Sequence, residues 1–299
     1  MVSFFSKKNN KIIVRLSGGL GNQMFQYSYA LILSKKLNRE ILIDDFILRD
    51  YPLKKKFTKR NFELNIYKNQ YNFFIKDFLN GIPKRGYFYS FFSKIKIIFY
   101  NCYLITDSNI PSFNELKRID KNIYLSGIFQ EKIDYSKYKK IIIDFFSSKN
   151  IINKKLNFSN SIKDLISKSN SVSIHVRRGD YLKKNNLQTH GLCTLDYYRK
   201  AINYFVDKNS NINFFIFSDD LEWCKNNFNL TQNIFYCEGS PLDDFVLMSL
   251  CKNNIIANSS FSWWSAFLNQ NENKIVIYPQ NWFTNKDLKI YTPDDWIMI

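Results

Sequence analysis

From about residue 160 onward the chain alternates short apolar runs with amphipathic stretches, at intervals of roughly twenty residues. The apolar runs fall at 171–176 (SVSIHV), 213–217 (NFFIF), 233–236 (NIFY), 254–257 (NIIA) and 274–278 (KIVIY). Helical spacing lies between them at 195–207, 220–227, 242–251 and 261–269. Strands separated by helices are not joined by tight hairpins. They are expected to run parallel, with helices covering both faces of the sheet. Such sheets bind ligands outside the carboxyl ends of their strands. The residues that close each run therefore carry the functional expectations.

The N-terminus shows the pattern once. Lys11 to Leu16 reads as a strand and Ser17 to Gly21 as a turn. Asn22 to Leu37 follows as a helix, with Met24, Tyr27, Ala30, Leu31 and Leu37 at helical spacing, and Ile41 to Ile43 as a second strand. Residues 50–120 carry aromatics without a clean period. The polar stretch Lys149 to Ser161 marks the expected boundary, giving domains 1–157 and 158–299. With 299 residues, 45% of them hydrophobic, two cores of ordinary size are available. No run of 18 apolar residues occurs; the nearest candidate, Phe91 to Ile105, is cut by Lys94 and Lys96. The first eight residues lack the order of a secretory signal. A cytoplasmic protein is expected.

The net charge of +17 is unevenly placed. Residues 1–150 hold 27 basic and 12 acidic side chains, against 16 and 14 in residues 151–299. Residues 51–100 combine eleven Lys or Arg and two acids with fifteen aromatics. Basic plus aromatic suits an anionic membrane surface or single-stranded nucleic acid, and also a solvated face over an aromatic core. The five cysteines are odd in number and form no C-x-x-C pair, which reads as reduced thiols without a disulfide or zinc framework.

Three strand ends stand out. The run 171–176 closes in His175-Val176-Arg177-Arg178-Gly179-Asp180-Tyr181, in a chain with two histidines and nine arginines. Adjacent guanidinium groups at a strand's carboxyl end fit the oxygens of a diphosphate, or pair with Asp180 and shape the loop. The run 254–257 closes in Asn258-Ser259-Ser260-Phe261-Ser262-Trp263-Trp264. Here Ser259 or Ser260 is placed to cap a helix whose N–H groups form an anion site. The run 213–217 closes in Ser218-Asp219-Asp220, where a carboxylate can accept from a nucleobase or cap the next helix. The glycine loop Gly18-Gly19-Leu20-Gly21-Asn22-Gln23 has neither the P-loop ending nor the dinucleotide spacing. Its glycines would let a substrate approach the backbone, with amides offered by Asn22 and Gln23. No metal-binding spacing is present.

These residues resemble the motifs of the bacterial α-1,2-fucosyltransferases of glycosyltransferase family 11. The likeness rests on Gly18 through Tyr27, His175 through Tyr181, His190 through Cys193 with Asp196 to Tyr198, Phe217 through Asp220, and Asn258 through Trp264. It implies an α/β, GT-B-like architecture of two Rossmann-like domains facing a cleft. It also implies transfer of L-fucose from GDP-β-L-fucose to the 2-hydroxyl of a β-galactoside, with inversion. No cofactor or metal is implied. By the same resemblance Arg177 contacts the GDP phosphates and His175 lies near the nucleotide. Asn22 lies near the reacting sugar. Ser259, Ser260 and Phe261 form a phosphate-binding turn, and Asp219 or Asp220 holds guanine. Related enzymes place a glutamate base shortly after the arginine motif, but Leu182 to Thr194 contains no carboxylate. His190 is the candidate base. Asp180, or no single base, is the alternative. The partners expected are the donor, a galactoside acceptor carried on lipid and an anionic membrane surface, with no nucleic acid. The alternatives are a GDP-sugar transferase of different donor or linkage, a sugar-binding module, and a basic nucleic-acid-binding protein.

Overall fold

The computed structural model describes residues 10–50, 60–67, 69, 71–72, 101–151, 156–209, 211–228 and 233–299. The chain divides into two compact units between Phe145 and Phe146. Each is an α/β layer structure built on one parallel sheet.

The first unit holds four strands, β1 (Ile12–Arg15), β2 (Ile41–Asp44), β3 (Cys102–Ile105) and β4 (Asn122–Leu125), in the order β2-β1-β4-β3. All three pairings are parallel, with Arg15 opposite Asp44 at the carboxyl end of β1 and β2. Ile12, Ile13 and Val14 are fully buried, as strands covered on both faces must be. The helix Leu20–Leu37 connects β1 to β2. It starts two residues earlier than its apolar spacing suggests, so Gly21, Asn22 and Gln23 belong to its first turn rather than to a loop. β3 and β4 were not legible in the sequence. β4 has four residues and β3 emerges from the aperiodic aromatic region. Most of 51–100 lies outside the described residues.

The second unit holds six strands, β5 (Ser171–Val176), β6 (Asn213–Ser218), β7 (Asn233–Tyr236), β8 (Asn253–Ile255), β9 (Val276–Tyr278) and β10 (Ile297–Met298). Their order is β10-β9-β8-β5-β6-β7, again parallel throughout. The sheet matches the rhythm read from the sequence, with β8 and β9 shorter than their apolar runs. The two faces follow strand alternation. Val172, Ile174, Val176, Phe214 and Ile216 pack with Tyr198, Ala201, Ile202 and Phe205. Phe215 and Phe217 pack on the other face with Ile166, Leu247, Met248 and Cys251. β5 is central and wholly buried, and its carboxyl end delivers the arginine loop. Beside it, β8 leads into the helix Ser260–Leu268. Trp263 and Trp264 anchor that helix. Both are fully buried, and Trp263 stacks on Phe267 at 4.9 Å. Truncating either is expected to cost about 3–5 kcal/mol. Among the described residues no helix is long and apolar enough to cross a membrane.

Candidate active site

β5 alternates Val172, Ile174 and Val176 with Ser171, Ser173 and His175. The small polar face lets neighbouring backbone come close: Lys252 N–H donates to Ser171 Oγ, and Asn254 Nδ2 donates to Ser173 Oγ at 2.7 Å. His175 ends this face. It is buried, its ring lies 5.7 Å from Phe261, and its Nδ1 has no hydrogen-bond partner. Burial, then the Arg177 charge, pushes its pKa down to about 3, so the imidazole is neutral at physiological pH.

Arg177 pairs with Asp180 and, at 2.9 Å, with Asp219. Its Nε is buried without a partner, yet 23% of the side chain stays exposed, enough for a ligand to reach. Arg178 donates through Nε to Asp220 at 2.9 Å, and its guanidinium lies 4.0 Å from the Trp223 ring centroid. The Arg178 N–H donates to Asp219 Oδ1 at 2.8 Å. A Cβ on Gly179 would run into the Asp219 carboxylate, so only glycine fits there without displacement. Asp220 also caps the helix Leu221–Asn227 by accepting from Trp223 N–H. Asp219 and Asp220, expected to face a nucleobase, are thus engaged with the two arginines. Two guanidinium groups face three carboxylates.

Ser259 stands at the N-cap position of Ser260–Leu268, but its side chain makes no capping bond. The cap expected from the sequence is therefore not made by that hydroxyl. Asn258, just before it, is the fastener. Its Nδ2 donates to the His190 carbonyl at 2.8 Å, and its own carbonyl accepts from Tyr181 Oη at 3.1 Å. His190 closes the short helix Lys184–His190, which the sequence did not announce. Its ring stacks on Tyr181 at 4.7 Å and 14°, and its Nδ1 is buried without a partner. Burial lowers its pKa, Asp180 opposes that shift, and Arg177 adds to it. A neutral His190 is able to accept a proton.

Asp244 was not singled out in the sequence. Ser240-Pro241 followed by Asp243 and Asp244 reads as a capped helix start, and Asp243 does form a capping box with Ser240. Asp244 is different. Its Oδ1 is buried and unpartnered, and burial, then Asp243, raises its pKa to about 7. It sits beyond the carboxyl end of β7, and the next residue, Phe245, packs on Phe261 at 5.3 Å. Phe261 thus links this turn to His175.

The glycine motif forms a separate cluster in the first unit. Gly18 has φ +74°, and a Cβ there would lie 2.5 Å from Asn22 Nδ2. Asn22 Oδ1 accepts from Gln130 Nε2 at 2.9 Å. Gln23 is wholly buried and donates to the carbonyls of Gly18 and Asn61. Gly19 holds the N-cap position, and the Leu20 N–H donates to Glu63 at 2.7 Å. Glu63, Asn61 and Gln130 come from segments distant in sequence, so no local signal could have found them. Among the described residues no group of three or more His, Cys, Asp or Glu could hold a metal ion.

The family model for glycosyl transferase family 11 matches residues 3–299. An O-antigen biosynthesis glycosyltransferase of Escherichia coli, WbnK, is 36% identical over 94% of this chain and 98% of its own length. An alpha-1,2-colitosyltransferase of the same species is 33% identical over 96% and 98%. A solved fucosyltransferase, NodZ from Bradyrhizobium, covers 87% of this chain and 93% of its own at 14% identity, with a TM-score of 0.48.

Proposed function

From the premise that this chain belongs to glycosyl transferase family 11, we propose that it transfers L-fucose from GDP-β-L-fucose to the 2-hydroxyl of a β-galactoside. The product is the α-1,2 linkage, and the setting is O-antigen assembly in the cytoplasm. The observation that carries the donor reading is the carboxyl edge of the second sheet. There Arg177 and the turn before Ser260–Leu268 stand together with the buried, unpartnered atoms of His175 and Asp244.

In this reading the acceptor oxygen attacks the anomeric carbon from the face opposite GDP. The C–O bond to the β-phosphate breaks, and its electron pair leaves with GDP. Arg177 donates to a phosphate oxygen, and the N–H groups of the helix beginning at Ser260 face the same charge. The carboxylate of Asp244 accepts the N1–H and amino group of guanine, a role the sequence suggested for Asp219 or Asp220. His190 takes the acceptor proton. An acceptor on a lipid anchor fits the basic balance of residues 1–150, and the same balance suits peripheral contact with an anionic membrane.

The relative that is an alpha-1,2-colitosyltransferase supports a second donor. Colitose is fucose without its 3-hydroxyl. Turnover of GDP-fucose and GDP-colitose, with GDP-mannose and UDP-galactose as controls, on a panel of β-galactosides decides between them. Linkage analysis of the product completes the test. Transfer from the UDP-sugar, or a product linked at another hydroxyl, would overturn the proposal.

A further inference from the structure

We infer that Tyr181 is a positioning residue that sets Arg177 and His190 against the phosphate turn. The inference rests on the function proposed above. Tyr181 is the point where three separate pieces of the site meet. Its hydroxyl donates to the carbonyl of Asn258, the residue immediately before Ser259 and Ser260. One ring contact is the near-parallel stack with His190, 4.7 Å between centroids. Another is the Arg177 guanidinium, 5.3 Å from the ring centroid and within cation–π range.

Asn258 closes the bracket from the other side. Its amide donates to the His190 carbonyl, and its Oδ1 accepts from Cys193 Sγ at 3.4 Å. Arg177 and His190 lie thirteen positions apart in the sequence, on a loop and a short helix with little core of their own. β5 delivers the Arg177 backbone, and the outer end of its side chain is set by Asp180, Asp219 and the Tyr181 ring. Arg177 and His190 both lean on that one aromatic ring, and the ring is tied to the backbone of β8's exit. Burial drives the Tyr181 hydroxyl up to about 12, so it stays a donor throughout the working pH range. A leucine is smaller and offers neither π face nor hydroxyl, so it leaves the His190 ring less covered.

The chain has only two histidines: His175 is held neutral by burial and the Arg177 charge, and the pKa of His190 is lowered by burial, with Asp180 opposing. The His190 ring signals in NMR report directly on the stack. The groups facing His190 are Asp180, Arg177, Tyr181 and Phe283. The test compares Tyr181→Leu and Tyr181→Phe in the full chain, reading the His190 resonances, GDP affinity, kcat and the donor KM.

Tyr181→Leu should move the His190 signals and raise its titration midpoint toward the ordinary value, because the covering ring is gone. It should weaken GDP binding by roughly tenfold and lower kcat. Tyr181→Phe should keep the His190 signals in place and lower kcat by about fivefold, with the donor KM little changed. Tyr181→Leu with His190 signals, GDP affinity and kcat all within twofold of wild type overturns the inference. So does a loss of activity in both variants that merely follows a lost fold, seen as a lowered melting temperature with unmoved His190 signals. If wild type itself does not bind GDP, the functional proposal has failed. The His190 signals still decide the stack.

Discussion

At the scale of single residues, Arg177 carries the largest expectation. A preorganised donor on a developing charge is worth roughly 3–4 kcal/mol, so Arg177→Ala should lower kcat by about two to three decades. Arg177→Lys should recover only part of this, because a point charge cannot replace a planar fork shared between Asp180 and Asp219. A kcat within threefold of wild type for the alanine variant would remove Arg177 from the reaction. Asp244 gives a prediction of another kind. Its folded pKa of about 7 stands above the ordinary aspartate value of 3.8. The folded state therefore holds the extra proton, and this group's contribution to stability is lost as pH rises from about 4 to about 7. Asp244→Asn should raise the melting temperature at pH 7.5. Pairing with guanine requires the ionised form, so GDP affinity should fall as pH drops below about 7 and lose that dependence in the variant. Calorimetry across pH 5–8 checks both signs. A GDP affinity flat over that range in the wild type would exclude Asp244 from the base.

At the scale of elements, the two helix starts that carry the glycine and serine motifs are held differently. In the second unit, the helix Ser260–Leu268 is fixed by its buried tryptophans and carries no side-chain cap at Ser259. In the first unit, the helix Leu20–Leu37 has its leading N–H taken by Glu63, whose own N–H donates to Gln23 Oε1. Glu63 thus behaves as a cap supplied from a distant segment. Glu63→Ala should cost about 0.5–2 kcal/mol of stability. It should also loosen the Gly18–Gln23 turn and raise the acceptor KM more than the donor KM. Thermal melts with bisubstrate kinetics test this; an effect on the donor KM alone would contradict it. Element starts are also where sequence and structure diverged. Serine before a helix is read as a cap, and Ser240 and Thr194 do cap their helices. Ser259 does not, although its backbone is extended as theirs is; Asn258, before it, ties the strand exit to His190 and Tyr181.

At the scale of the whole molecule, family membership places the +17 charge beside a sugar-transfer activity rather than a nucleic-acid one. The proposed GDP site is built from β5, β6, β7 and β8 alone. Amide exchange with and without GDP should therefore show protection at 175–191, 218–220, 240–245 and 258–262. At 100 times its dissociation constant the nucleotide should add about 2.7 kcal/mol to the stability of the unit it binds. Protection confined to residues 1–145 would place the nucleotide elsewhere.

The parallel sheet of residues 171–278 was legible in the sequence because alternating apolar runs and helical spacing are local signals, read within a few residues of chain. The arginine loop and the serine turn were legible because they sit where such strands end. What depended on tertiary structure was the partner of each charged group. Asp219 and Asp220 fall at a strand end like ligand-binding residues, yet they lie opposite the arginines of β5 because β5 and β6 pair in register, His175 with Phe217 and Val176 with Ser218. Glu63 and Gln130 carry no local signature, and only folding brings them to the glycine turn. Periodicity along a chain is set by backbone geometry and solvent. The pairing of charges is set by which strands become neighbours, and that is decided only when the sheet closes.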